Sequence, residues 1–223
     1  MAIEIDWPNI DDVMLDMDGT LLDLHFDNHF WLEYVPIKYA EDNDISIEES
    51  KAKLMEQYKA IEGTLNWYCL DHWSQKLELD IALLKEEIDH LIAVHPYVVD
   101  FLEAIKEAGK RTILVTNAHQ KALALKMKKT RLDHHFDEII TSHQIGHPKE
   151  TQEFWTGLQS SLPFDPDRTL FVDDSLSVLK SARKYGIAHL IAVLKPDTRS
   201  PAKQLDGFNG VENFKDLLPA LQN

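Results

Sequence analysis

The chain has 223 residues, 44% of them apolar, enough for one generous domain or for a core domain carrying an insertion, so disorder is excluded as a default. Its 38 acidic residues outnumber 23 Lys and Arg, a formal charge of −15. That balance argues against nucleic acid or an anionic membrane surface as a partner and leaves room for a small phosphorylated substrate held by local cations. The lone cysteine, Cys69, excludes an internal disulfide, points to a reducing compartment and reads as a buried small hydrophobe. Neither a basic-then-apolar leader nor a run of about 18 apolar residues is present, and a cytoplasmic location is expected.

The first informative stretch is Val13-Met14-Leu15-Asp16-Met17-Asp18-Gly19-Thr20. An apolar run breaks into two aspartates one residue apart, as a buried strand does where it enters a loop. Residues two apart on a strand share a face, so Asp16 and Asp18 begin on one side. Crowded carboxylates repel unless a cation lies between them, and a hard divalent ion such as Mg²⁺ suits oxygen ligands. From about residue 28 to 93 the pattern is helical. A first aromatic helix over 30–39 is expected to kink at Pro36. Ser46-Ile47-Glu48-Glu49 reads as a capping box before a helix carrying Leu54, Met55, Tyr58 and Ile61. Asn66 is expected to cap a third helix with Trp67, Leu70, Ser74 and Leu77 on one face. Asp80 is expected to cap a fourth, with Leu84, Ile88, Leu91 and Ile92.

From His95 helices and strands alternate. A helix opens at Pro96 and ends near Gly109; strands are expected over 112–117, 138–142, 169–174 and 189–194, and helices over 119–129, 151–160 and 175–186. The tail from Thr198 is expected to hold a last short helix over 211–221. Strands alternating with helices imply an α/β fold, a parallel sheet covered on both faces. The helical block after the first strand then reads as an insertion. The expected organisation is a Rossmann-like core from residues 1–21 and 94–223, with an α-helical cap from residues 22–93.

Open α/β sheets bind ligands at the carboxyl ends of their strands. There the sequence delivers Asp16 and Asp18, then Thr116 and Asn117, then Asp173 and Asp174, with Lys149 near the start of a later helix. This set suits phosphoryl transfer. A carboxylate can attack phosphorus, Mg²⁺ held by Asp16 and Asp173 or Asp174 can polarise the phosphate, Lys149 can neutralise charge, and Thr116 can hold phosphate oxygens.

These motifs resemble those of the haloacid-dehalogenase superfamily of phosphatases. Asp16-x-Asp18-Gly19-Thr20 resembles its first motif, Thr116 its second, Lys149 its third and Asp173-Asp174 its fourth, although proline here precedes the lysine. The resemblance implies that Asp16 is the nucleophile, and that Asp18 is general acid and base and offers its backbone carbonyl to the metal. It also implies that the insertion is a type-one cap. More narrowly, Gly146-His147-Pro148-Lys149-Glu150, Phe171-Val172-Asp173-Asp174-Ser175 and the segment Asn66 to Trp73 resemble bacterial purine nucleotidases that hydrolyse GMP and IMP. A purine mononucleotide is the substrate this implies.

Weaker signals stay open. Trp67 and Leu70 read as bundle core, whereas Tyr68, His72 and Trp73 lie off that stripe and fit either packing or contact with a purine base. His119 fits either a pocket lining or a surface helix start. The run Lys126, Lys128, Lys129 and Arg131 reads as a solvated helix end, and His134-His135 as surface, since helix neighbours do not face one ligand. Competing functions are a sugar-phosphate phosphatase, a phospho-accepting signalling domain and a dehalogenase. The order of the acidic motifs disfavours the signalling domain, and the presence of Asp18 disfavours the dehalogenase.

Overall fold

The computed structural model describes residues 5–218. β1 (Asp12–Leu15) lies at the middle of a six-stranded parallel sheet, between β2 (Arg111–Thr116) and β4 (Thr169–Asp173). β3 (Glu138–Thr141) flanks β2, and β5 (His189–Val193) and β6 (Asn209–Val211) extend the other side, giving the order β3-β2-β1-β4-β5-β6. The core is thus a Rossmann-like α/β sheet. After β1 the chain first builds outward through β2 and β3, then returns to place β4 on the opposite side. The crevice between the ends of β1 and β4 is the switch point where such sheets bind ligands.

Both faces of the sheet are apolar and covered, as parallel strands require. Val13 and Leu15 join Leu114, Leu170 and Val172 in a cluster with Phe101, Leu102 and Ile105 of the helix Val98–Glu107. Met14, facing the other way, joins Ile113, Val115 and Phe171 against Phe154 and Trp155 of the helix Gln152–Ser161 and Leu179 of the helix Leu176–Tyr185. The alternation follows from the two-residue period of a strand.

Between β1 and β2 the chain makes a helical excursion. It leaves and returns side by side: Leu22 and Val94 pair antiparallel, Asp23 N–H donates to Ala93 O at 2.9 Å, and His95 N–H donates to Leu21 O at 2.9 Å. Trp73 is buried at its centre, its ring edge-on to Tyr58 at 5.1 Å and packed on Trp31 at 5.9 Å.

Five local expectations are revised. The first helix starts at His25 and runs unbroken over 25–43, with a π-helical turn at Phe30–Tyr34 just before Pro36. Proline has no N–H to donate, and the wider turn next to it accommodates that gap while the helix continues through it. Ser46 does cap its helix, accepting from Glu49 N–H at 3.1 Å, but the Glu49 carboxylate pairs with Lys53 rather than closing a box. The expected third helix is split into Leu65–Tyr68 and Leu70–Leu77; Cys69 caps the second piece through its sulfur, which accepts from His72 N–H at 3.4 Å. Cys69 is therefore half-buried rather than a core hydrophobe. The tail forms β6 and a short 3₁₀ turn at Phe214–Asp216, and the part of the expected last helix over 219–221 lies outside the described residues. Asp80 does cap its helix, accepting from Leu83 N–H at 3.0 Å.

Trp155 fastens the helix Gln152–Ser161 to the sheet. Its buried indole N–H donates to Lys149 O and Ser181 Oγ, both at 3.0 Å, and its ring meets Phe171 at 5.2 Å. Trp155→Phe keeps most of the packing but leaves both acceptors without this donor. It is expected to lower the unfolding free energy by about 1–3 kcal/mol in urea titration; an unchanged midpoint would contradict the assignment.

Candidate active site

Three strand ends and one loop converge at the switch point. Asp16 follows β1 directly, anchored by its N–H donating to Val172 O at 3.0 Å. Asp173 closes β4, and Asp174 follows it. Lys149 arrives from the loop before the helix Gln152–Ser161, and its ammonium lies between the acids. It donates to Asp16 Oδ1 at 2.5 Å, Asp173 Oδ2 at 2.7 Å and Val115 O at 3.0 Å. The preceding proline does not keep it from the site. Its backbone N–H donates to Asn117 Oδ1 at 3.0 Å, which locks the lysine loop to the end of β2. Asn117 Nδ2 donates to Glu150 Oε2 at 3.0 Å, and Tyr68 OH donates to Glu150 Oε1 at 2.6 Å. Thr116 is buried beside them, its hydroxyl accepting from Ala118 N–H at 3.0 Å.

Burial pushes the Asp16 carboxyl up to about 6, against the pull of Lys149 and with added repulsion from Asp173. Asp173 is pushed to about 6 by burial, opposed by Lys149 and reinforced by Asp174. Asp174 is also raised, by burial first. Burial alone would lower the Lys149 ammonium, but Asp16 and Asp173 outweigh it and hold it above the usual lysine range.

The acids fit a hard divalent cation. One carboxylate oxygen from each of Asp16, Asp173 and Asp174 falls within 4.8 Å of the others. Asp173 uses both oxygens, on Lys149 and on Ser175 N–H at 2.7 Å. Asp174 Oδ2 accepts from Lys203 at 2.7 Å, while its Oδ1 has no hydrogen bond among the described residues. Gly19 holds the turn at φ +86°, and a Cβ there would come within 2.7 Å of Asp174 Cγ. Glycine is therefore required both by backbone conformation and by the close approach.

A second ion cluster adjoins the first. Lys126, on the helix Gln120–Thr130, donates to Asp18 Oδ1 at 2.6 Å and to Asp27 Oδ2 at 2.7 Å. Lys85, from the helical excursion, donates to Asp27 Oδ1 at 2.7 Å and lies over the rings of Phe26 and Phe30 at 4.7 and 4.2 Å. Lys126 is only 1% exposed, so the solvated helix end expected of it is corrected. Burial pushes Asp18 to about 6, opposed by Lys126 and aided by Asp27. Burial would raise Asp27 too, but Lys126 and Lys85 together hold it below the usual carboxylate range.

Above the acids lies a cavity of about 510 Å³, lined from the sheet side by Asp16, Asp18, Asn117 and Lys149 and from the helical side by Trp31, Tyr58 and Tyr68. Tyr68 and His119 both line it. Trp73 presents an edge to it but is 1% exposed and packs as bundle core, its N–H donating to Trp67 O at 2.9 Å. His72 is not among the lining residues and rests on the Trp73 ring at 5.4 Å.

Asp27, Lys85, Glu150 and Lys203 were not singled out as site residues in the sequence. One signal was available: Lys85 falls on the stripe of Ile81, Leu84 and Ile88, and Lys126 four residues after buried Ala122. A lysine on a core-facing stripe needs a buried anion.

The family model of haloacid dehalogenase-like hydrolases matches residues 10–186. The chain belongs to this family, and it is a phosphatase. It is 40% identical over 221 residues to the GMP/IMP nucleotidase YrfG of Escherichia coli, covering 99% of this chain and 100% of that protein. It is 25% identical over 191 residues to a phosphorylated carbohydrates phosphatase of Thermotoga maritima, covering 82% of this chain and 84% of that one. The fold is similar to a HAD phosphatase from Thermococcus onnurineus, with TM-score 0.79, 21% identity and coverage of 95% and 98% of the two chains. It is also similar to the L-2-haloacid dehalogenase PA0810, with TM-score 0.65, 19% identity and coverage of 95% and 99%.

Removing the cation from the second cluster should be costly. Lys126→Met removes a buried cation and leaves the half-buried Asp18 and Asp27 beside each other, and is expected to cost about 3–5 kcal/mol in urea unfolding. Lys129→Met, which removes an exposed partner of Asp89, is expected to stay within about 0.5 kcal/mol. Equal effects for the two variants would contradict the buried cluster.

Proposed function

We propose that the chain is a Mg²⁺-dependent 5′-nucleotidase acting on purine monophosphates such as GMP and IMP, through an aspartyl-phosphate on Asp16. The observation that carries this reading is Asp16, held by Lys149 beside Asp173 and Asp174 on the floor of the cavity. A fully matched relative that is a GMP/IMP nucleotidase supports the choice of substrate. So does a cavity of about 510 Å³ with aromatic walls, inside the usual range for small-molecule sites.

In this reading residues 22–93 act as a cap over a core made of 1–21 and 94–223. The Asp16 carboxylate attacks phosphorus and forms an acyl phosphate as the bond to the nucleoside 5′ oxygen breaks. Asp18 gives that oxygen its proton; a carboxyl raised to about 6 suits a donor near neutral pH. Asp18 then takes a proton from water, which attacks the acyl phosphate and releases phosphate, regenerating Asp16. Lys149 offsets negative charge on Asp16 and on the phosphoryl oxygens, and Thr116 and Asn117 donate to those oxygens. Asp16, Asp174 and the Asp18 backbone carbonyl would hold Mg²⁺, which supplies charge neutralisation at the phosphoryl group. Asp173, with both oxygens already engaged, would orient Lys149 and Ser175. Tyr68 and His119 are the proposed contacts to the base from the cavity wall, with His72 and Trp73 behind them.

Phosphate release from GMP, IMP and a set of sugar phosphates tests the reading. Fast release from GMP and IMP, stopped by EDTA and restored by excess Mg²⁺, is expected. Release from sugar phosphates alone would keep the site and overturn the nucleotide assignment. Asp16→Asn is expected to abolish turnover, a loss of at least about 10⁴-fold for a covalent nucleophile; near-normal turnover in that variant would refute its role.

A further inference from the structure

Among the described residues, one group of side chains besides the acidic centre has the makeup of a metal site. The sulfur of Cys69 and a ring nitrogen from each of His119 and His143 fall within 4.8 Å of one another. The two imidazole rings meet edge to face at 4.9 Å. His119 follows β2 and caps the helix Gln120–Thr130, His143 sits in the short helix Ser142–Ile145 after β3, and Cys69 belongs to the helical excursion. Three different parts of the fold thus deliver a thiol and two imidazoles to one spot; capping accounts for Cys69 and His119 one at a time, and does not account for their meeting with His143.

Two further observations point to a ligand. The Nε2 of His143 is buried and has no hydrogen-bond partner, an expensive condition for a polar atom unless something binds it. Asp71 Oδ2 lies 3.7 Å from His119 Nε2, and its other oxygen is fixed by Lys121 at 2.5 Å, so a carboxylate stands ready as a fourth or outer ligand. One thiolate, two imidazoles and a nearby carboxylate suit a borderline-soft d¹⁰ ion with tetrahedral preference. They do not suit Mg²⁺, which prefers oxygen.

We propose that Cys69, His119 and His143 form a Zn²⁺ site, distinct from the acidic centre, that ties the helical excursion to the sheet core. Cys69 and Asp71 come from one side of that boundary and the two histidines from the other. Metal bound there adds a coordinate link beside the Tyr68–Glu150 hydrogen bond, next to His119 on the cavity wall. In this proposal the link resists parting of the excursion from the core along that wall, and turnover falls as the site fills.

The test uses Co²⁺ as a spectroscopic stand-in for Zn²⁺, with the full chain in saturating Mg²⁺ so that the acidic centre is filled. Cys69 is the only cysteine, so a thiolate-to-cobalt charge-transfer band can arise at this site alone. The expected result is a band that saturates at one equivalent, disappears on adding Zn²⁺, is absent in Cys69→Ser and is strongly weakened in His143→Gln. Serine at 69 can still accept from His72 N–H, so loss of fold is not a concern for that variant. A chain that gives no band overturns the site, whatever its substrate proves to be. Zn²⁺ is further expected to lower phosphate release from IMP in the wild type and much less in Cys69→Ser. Equal inhibition of both would overturn the closing role while leaving the binding site standing. This last readout alone rests on the nucleotidase reading.

Discussion

The centre of the molecule depends on one ammonium group. Lys149 is buried with Asp16 and Asp173 and favours their charged forms against the burial that raises both carboxyls. Burying charges in this way does little for stability, since apolar residues of similar volume often serve as well or better. The cost is accepted only where chemistry needs the charges, and here the surrounding structure is arranged to hold the lysine still. Asn117 fixes its backbone N–H, Trp155 fixes its carbonyl, and Val115 takes its third hydrogen bond. Val115 and Asn117 come from β2 and its end, Trp155 from the helix Gln152–Ser161 and Asp173 from β4, so the lysine reaches its place only when β2, β4 and that helix are all assembled. The geometry of the site is in this sense a consequence of the sheet order.

The second ion cluster extends the same logic outward. Asp18 is linked by Lys126 to Asp27, and Asp27 to Lys85, so the line of charges runs from the strand end into the helical excursion. Lys85 is further held by the faces of Phe26 and Phe30, which favour a cation over their rings. Asp27 lies soon after the point where the excursion begins, near the Leu22–Val94 bridge. The excursion therefore meets the core in two different ways. Near its root it is held by buried ion pairs that are costly to break. Near Tyr68 and Asp71 it is held by one hydrogen bond and an exposed ion pair with Lys121, which are weak.

How much of this could be read from the chain depended on whether the signal was local. Asp16, Asp18 and Gly19 announce themselves because an apolar run stops abruptly at two acids, and the same break marks Asp173 and Asp174. The alternation after His95 gave the parallel sheet, because each helix and strand there carries its own period. The split at Cys69 was hidden, since a helical stripe through Trp67, Leu70 and Leu77 continues across the break. β6 was hidden for a different reason: Asn209, Gly210 and Val211 have no strand pattern, and the strand exists only because β5 offers an open edge. The buried lysines were legible in principle but were misread. Lys126 stands in a run of basic residues, and the run suggested solvent where the helix face demanded the core.

The balance of charge at the floor of the cavity favours one chemistry over its relatives on the same fold. A haloacid dehalogenase and a phosphatase both share this architecture, so the sheet alone decides nothing. The side chains do discriminate. Asp16, Asp18, Asp173 and Asp174 bring four carboxylates, and the lysines that meet them are Lys149, Lys126 and Lys203, with Lys126 already shared with Asp27. A phosphate monoester adds up to two more negative charges. Such a pocket would repel it unless a divalent cation joined; the carboxyls of Asp16 and Asp173 are already raised, by burial first and by a neighbouring carboxylate in addition. The four carboxylates thus support a metal that enters with an anionic substrate, beside the local cations Lys149, Lys126 and Lys203, in a protein whose overall charge of −15 does not itself attract one.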